Sequence, residues 1–179
     1  DARFRSISAV SAKVVWASGE KGTYARSIDG KLFVSHQVPG AEKLDFRCVV
    51  GFDADHATLL AIGEGDKSRI YHTDDGGETW ALQFVNDNPK AFFDAIAFWD
   101  PAHGIAFSDS VEGKIPVLVT DDGGQHWSLA PSAGMPAALD GEGAFASSGT
   151  CLVVHGARDA WIATGSAAKS RVFHSSDRG

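Results

Sequence analysis

The sequence predicts an all-β chain, a β-propeller of about four four-stranded blades belonging to a larger ring of roughly six to eight. Three observations carry that prediction: an eight-residue motif that recurs along the chain, two further patterns that keep step with it, and no apolar periodicity of helical spacing over any helix-length window.

The recurring motif is Thr73-Asp74-Asp75-Gly76-Gly77-Glu78-Thr79-Trp80, repeated as Thr120-Asp121-Asp122-Gly123-Gly124-Gln125-His126-Trp127 and begun again as Ser175-Ser176-Asp177-Arg178-Gly179. A weaker copy is Ser27-Ile28-Asp29-Gly30, with Lys31 at the second glycine position and Val34 at that of tryptophan. The aspartates stand at 29, 75, 122 and 177, so the intervals are 46, 47 and 55. In step with them run Val14 to Gly19, Thr58 to Gly63, Gly104 to Asp109 and Ala160 to Gly165, each a short β-rich run. The third pattern is a Phe heading an apolar stretch in every unit: Phe4, Phe46, Phe93 and Phe145. The units are 1–40, 41–86, 87–131 and 132–179, the last incomplete. In the second, strands are expected near Phe46 to Gly51, Thr58 to Gly63, Arg69 to Thr73 and Thr79 to Phe84. Four strands in ~45 residues make one blade. A blade buries neither face alone, so the rest of the ring is expected from a continuation of the chain or from another chain.

The motif reads as a strand-turn-strand device. Its carboxylate accepts backbone N–H groups of the turn, its second glycine supplies positive φ, and its tryptophan lies back over the hairpin. Asp29, Thr73, Asp75, Gly77, Trp80, Thr120, Asp122, Gly124, Trp127, Ser175, Asp177 and Gly179 are therefore assigned structural roles.

The 16 Lys and Arg against 23 Asp and Glu give a net charge of −7, which disfavours nucleic acid and anionic lipid as partners. The apolar runs fall short of the ~20 residues of a spanning helix, and no export signal precedes the first strand. Cys48 and Cys151 fall in blades that are not neighbours and read as two buried thiols rather than a disulfide. His72 and His174 precede a box aspartate where the third unit has Val119, which argues for packing on a strand. His126 reads as a surface cross-strand residue, and His56, His103 and His155 sit in turns. No spacing indicates a metal or a cofactor.

At these boxes the sequence resembles the Asp-box, or bacterial neuraminidase repeat, superfamily. The runs from Ile7 to Gly19 and from Asp100 to Ala106 look most like the photosystem II stability/assembly factor group. The resemblance implies a ring of more than four blades, an extracytoplasmic location and a role in binding other proteins, with no reaction. Other Asp-box proteins are enzymes, so a glycoside hydrolase or sialidase-like activity is the alternative. A sialidase uses a Tyr nucleophile, and Tyr24 and Tyr71 both fall in the strand before a box, away from the axis. Paired carboxylates for sugar hydrolysis have candidates in Asp53, Asp55, Asp94, Asp109 and Glu112.

If the family strand order holds, partners take the face opposite the boxes, where Glu64, Asp66, Lys67 and Arg69, then Asp109, Glu112 and Lys114, then Lys169 and Arg171 lie. The position after the leading Phe is Arg5, Arg47, Asp94 and Ala146 in turn. Two arginines on neighbouring inner strands could hold a carboxylate of a partner, or one could pair with Asp94 as an internal ion pair; the second reading is slightly favoured. Asp109 replaces the glycine that ends the second strand elsewhere, without an obvious structural need. Arg5, Arg47, Asp94, Asp109, Lys67 and Arg69 are the partner-binding candidates.

Overall fold

The structure is a computed structural model that describes residues 2–146 and 149–179. Short runs rich in β-branched and aromatic residues, each closed by a Gly- or Asp-bearing turn, pair only with their sequence neighbours, because turns this short leave no reach to a more distant strand. The first blade is β1 (Phe4–Ala9), β2 (Val15–Gly19), β3 (Thr23–Ser27) and β4 (Val34–Gln37). The second is β5 (Asp45–Gly51), β6 (Ala57–Ile62), β7 (Arg69–Thr73) and β8 (Ala81–Val85), with a 3-10 turn at Gly65–Lys67. The third is β9 (Phe93–Phe98), β10 (Gly104–Ser108), β11 (Val117–Thr120) and β12 (Ser128–Leu129). The fourth has three strands, β13 (Leu152–His155), β14 (Asp159–Thr164) and β15 (Arg171–Ser175). Every pairing is antiparallel, and among the described residues no helix is long and apolar enough to cross a membrane.

The blades stand radially. First strands touch first strands, β1 against β5, β5 against β9 and β9 against β13, while the outer β4 and β12 are exposed along their length. Two apolar clusters fill the seams. One joins blades 1 and 2 through Trp16, Tyr24, Phe46, Leu59 and Tyr71; the other runs from blade 2 to blade 4 through Leu60, Phe93, Ile105, Phe107 and Leu152. Indole N–H groups cross the seams as well: Trp16 Nε1 donates to the Asp53 carbonyl and Trp99 Nε1 to that of Asp159, both at 2.8 Å.

The boxes form the expected turns. Asp75 Oδ1 accepts the Thr79 N–H at 2.9 Å, and Thr73 Oγ1 accepts that of Gly77 at 2.9 Å. The second box repeats this with Asp122, His126, Thr120 and Gly124, and Ser175 accepts from Gly179 at 2.8 Å in the last. The first copy is a tighter turn: Ser27 accepts from Gly30, and Asp29 from Lys31 and Leu32. His126 lies at the surface, as its sequence position suggests, and its ring bonds Asp122 at 2.7 Å and so replaces the missing threonine hydroxyl.

The two box tryptophans differ: Trp127 meets Phe98 of its own blade edge-on at 5.9 Å, whereas Trp80 departs from the sequence expectation. Trp80 does not simply cover its own hairpin; its ring meets Tyr24 at 5.0 Å and Trp16 at 6.2 Å, both edge-on and both in the preceding blade. The reason is radial packing, which puts each box turn against the neighbour's sheet. Tyr24 confirms the geometry by donating its hydroxyl to the Gly77 carbonyl at 2.6 Å.

A second difference lies in blade 4. Phe145 does not head the inner strand: Gly143 pairs with Gly165, the ladder resumes with Cys151 opposite Ala163, and the described residues between them take no place in it. In blade 3 only Phe93 and Asp94 fill the equivalent gap, opposite Ser108. The alignment of Ala146 with Arg5, Arg47 and Asp94 therefore fails, and this insertion contributes to the longer 55-residue interval.

Candidate functional site

Arg5, Arg47 and Asp94 share a local geometry that their sequence context does not announce. The register of β1 on β2 skips between Phe4 and Ser6, that of β5 on β6 between Phe46 and Cys48, and that of β9 on β10 at Asp94. Each candidate is the extra residue of a β-bulge, a device that re-aims one side chain while the ladder continues. The three are thus at equivalent places on the inner strands, near the end away from the box turns.

Their partners correct the sequence reading. Arg5 Nη2 bonds Glu20 Oε1, and Arg47 Nε donates to Asp45 Oδ2 at 2.8 Å. Each guanidinium is engaged by a carboxylate of its own blade, so neither forms the ion pair with Asp94. The bulge turns successive side chains toward their own blade's second strand or strand start, which offers the nearer acid.

Asp94 meets another acid. It is 1% exposed, and its carboxyl lies in hydrogen-bond reach of the Asp109 side chain. The backbone of Ala146 lies beside the Asp94 carboxyl, the Asp109 N–H is given to the Phe92 carbonyl at 2.9 Å, and among the described residues no donor meets Asp94 Oδ2. Burial raises its pKa well above the usual carboxylate range, and the neighbouring Asp109 adds to the effect. Asp109 has the structural use that its sequence position concealed: Oδ1 accepts the Ala144 N–H at 2.9 Å across the seam between blades 3 and 4. Its oxygen lies where any side chain at Gly143 would stand, 2.1 Å from the Cβ position.

Both cysteines are free and buried in the same apolar cluster. Burial pushes the Cys48 thiol up to about 12, and its Sγ lies 3.6 Å from the Asp94 carbonyl oxygen. Cys151 is raised by burial too. As the sequence suggests, they are two buried thiols in blades that are not neighbours.

The loop candidates face the same side as the bulges without forming one cluster. Arg69 Nη2 donates to Asp66 Oδ2 at 3.2 Å, Lys90 Nζ to Glu112 Oε1 at 3.2 Å, and the Lys67 stem packs against Gly63. Arg171 binds Glu142, a residue that sequence reasoning passed over. Glu142 is 1% exposed, accepts from Arg171 Nε at 2.8 Å, Thr164 Oγ1 at 2.5 Å and Leu139 N at 2.8 Å, and Arg171 holds its carboxyl down to about 2. Its partners are 3 to 29 residues distant in sequence, so no local motif marks it.

Histidines gather on the box face. His56 and His103 each bond the aspartate three residues earlier, Asp53 and Asp100, at 2.8 Å. The Asp-x-x-His spacing was the available signal, and it marks a turn cap. His72 bridges Thr58 and Asp74 at 2.9 Å each, and His174 stacks on Trp161 and bonds Asp159. Among the described residues no group of three such side chains is arranged to hold a metal ion. Asp53 also caps its own turn by accepting the N–H groups of Asp55 and His56, and Asp55 faces Arg26 at 3.6 Å.

No protein-family model and no curated protein matches the chain. Solved structures do. One described as YCF48 bound to a D1 peptide matches with a TM-score of 0.62 at 13% identity, over 98% of this chain and 55% of that one. YCF48 from Cyanidioschyzon merolae matches with a TM-score of 0.63 at 17% identity, over 97% of this chain and 50% of that one. The chain thus spans about half the length of each, and the likeness is one of fold: a partial β-propeller like that of the photosystem II assembly factor YCF48.

Proposed function

We propose that this chain is part of a non-catalytic, extracytoplasmic β-propeller scaffold of the Asp-box superfamily, and that it binds a protein partner on the face opposite the boxes. The observation that carries the reading is the likeness, over nearly the whole chain, to a YCF48 structure solved with a peptide bound. Agreement comes from the engagement of the acidic groups. The box carboxylates are consumed by their own turns, Asp53 by a turn cap, and Asp94 and Asp109 by each other. None of these is left as a solvated acid/base pair flanking a sugar-sized space, which is what the hydrolase alternative needs.

The opposite face carries the bulge residues together with Lys67, Arg69, Lys114 and Lys169. Such a rim, on which cations alternate with the acids that pair them, suits an extended polar peptide whose carboxylates compete for the same cations, with recognition sensitive to salt. The test is a fluorescence-anisotropy titration with a labelled D1-type peptide ending in a free carboxylate. Arg47→Ala and the pair Lys67→Ala with Arg69→Ala are expected to weaken binding several-fold, and Asp55→Ala on the box face to leave it unchanged. Binding that ignores the first two variants, or that fails for the unaltered chain, would sink the proposal.

A further inference from the structure

We infer that Asp94 and Asp109 act as a single-proton clasp that fastens residues 144–146 of blade 4 to blade 3, and that raising the pH releases it at the inner-strand end of that seam. The argument is first one of donors. Asp94 Oδ2 is buried and, among the described residues, no donor reaches it; the group beside it is a second carboxyl. An ionised carboxylate only accepts, so two ionised side chains here would meet as bare like charges away from water. One proton between them satisfies the orphaned oxygen and leaves one net charge, as two acids in contact require.

The clasp connects to the backbone. Ala144 N donates to Asp109 Oδ1 at 2.9 Å, and the backbone of Ala146 lies beside the Asp94 carboxyl. Those amides follow Gly143, where the inner strand of blade 4 leaves the ladder before it resumes at Cys151, so the dyad holds the place where blade 4 departs from the repeat. The surroundings supply no compensating cation. Cys48 on β5 and Cys151 before β13 face the pair as neutral thiols, and Arg47, the nearest cation on β5, is engaged by Asp45. Glu142 on the same seam is consumed by Arg171, and its backbone carbonyl takes the Ser110 N–H.

The sign follows from linkage. Asp94 keeps its proton in the folded chain at pH values where the unfolded chain, with an aspartate pKa near ~3.9, has lost it. Stability from this group is complete below about pH 4 and declines as pH rises, by up to tenfold in the folding constant per unit, until Asp94 ionises in the folded state.

The test uses carboxyl 13C shifts and amide hydrogen exchange on the full chain between about pH 4 and 9. Asp94 is expected to titrate far above the ordinary aspartate range, and the protection factors of Ala144 and Ala146 to fall as it does so. Asp109→Asn is expected to shift that titration down, because the anionic neighbour is gone. Asp94→Asn, which keeps an N–H donor toward Asp109, is expected to make protection independent of pH. An Asp94 titration in the ordinary range, or one that Asp109→Asn leaves in place, overturns the inference; both readings stand even if Asp94→Asn proves too unstable to purify.

Discussion

Replacing Trp80 with alanine probes whether the box tryptophan is a seam element between blades. An indole buries up to ~250 Å². At ~25 cal/mol per Å² that would be near 6 kcal/mol, but Trp80 is partly exposed and unfolded chains already bury some apolar surface. Two edge-on aromatic contacts, to Tyr24 at 5.0 Å and Trp16 at 6.2 Å, add ~0.5–1.5 kcal/mol each. The expected loss is about 3–5 kcal/mol, in line with other large aromatic truncations. For a chain of this size 1 kcal/mol moves Tm by ~2–4 °C, so the melting temperature should fall by roughly 6–20 °C, while Glu64→Ala should stay within ~0.5 kcal/mol. Circular-dichroism melts of Trp80→Ala, Tyr24→Ala and the double variant close a thermodynamic cycle. If the indole lies between blades, the two sites couple by ~0.5–1.5 kcal/mol. Additive losses, or a Tm fall no larger than that of Glu64→Ala, would refute the placement.

Two further outcomes are expected. Gly77 and Gly40 have φ of 93° and 79°, so an alanine at either meets a similar backbone cost; only at Gly77 does the added Cβ lie 2.6 Å from the Tyr24 ring, with nothing within 4 Å at Gly40. Gly77→Ala should therefore unfold at a urea concentration lower than Gly40→Ala, by an additional ~1–3 kcal/mol, and equal midpoints would contradict the packing. In acid, the Thr79 hydroxyl and N–H hold Asp75 down to about 2, against an unfolded value near ~3.9, so its contribution is present above about pH 4 and lost as pH falls through 2. Asp75→Asn should flatten the acid limb of the stability curve; parallel limbs for both proteins would contradict the assigned bond.

What the sequence made legible was whatever is local. A Thr-x-Asp-x-Gly-x-Thr-Trp run closes its hydrogen bonds within four residues, so Thr73, Asp75 and Gly77 could be assigned from spacing alone. Strand order followed as well, because every strand pairs with its neighbour in the chain. The candidate site was only half visible. Arg5, Arg47 and Asp94 were aligned correctly by the phenylalanine before each, yet a bulge is a fault in pairing between two strands and has no one-strand signature. Hence the partners were mistaken: Glu20 lies 15 residues from Arg5, and Asp109 the same distance from Asp94. Glu142 escaped notice for the same reason, and Phe145 misled because an aromatic followed by a small residue looks alike on a strand or in an insertion. Blade 4 shows that a pattern in register can still be displaced by one inner-strand insertion.

The repeated bulge gives each of the first three blades one residue that has no partner in the ladder. Since the ladder resumes after it, arginine, arginine and aspartate occupy that place in three consecutive blades while the flanking pairs keep their spacing. A substitution at Arg5 or Arg47 can therefore change the charge carried by an inner strand while the pairing on either side of the bulge stays as it is, whereas at Asp94 it also reaches the seam with blade 4.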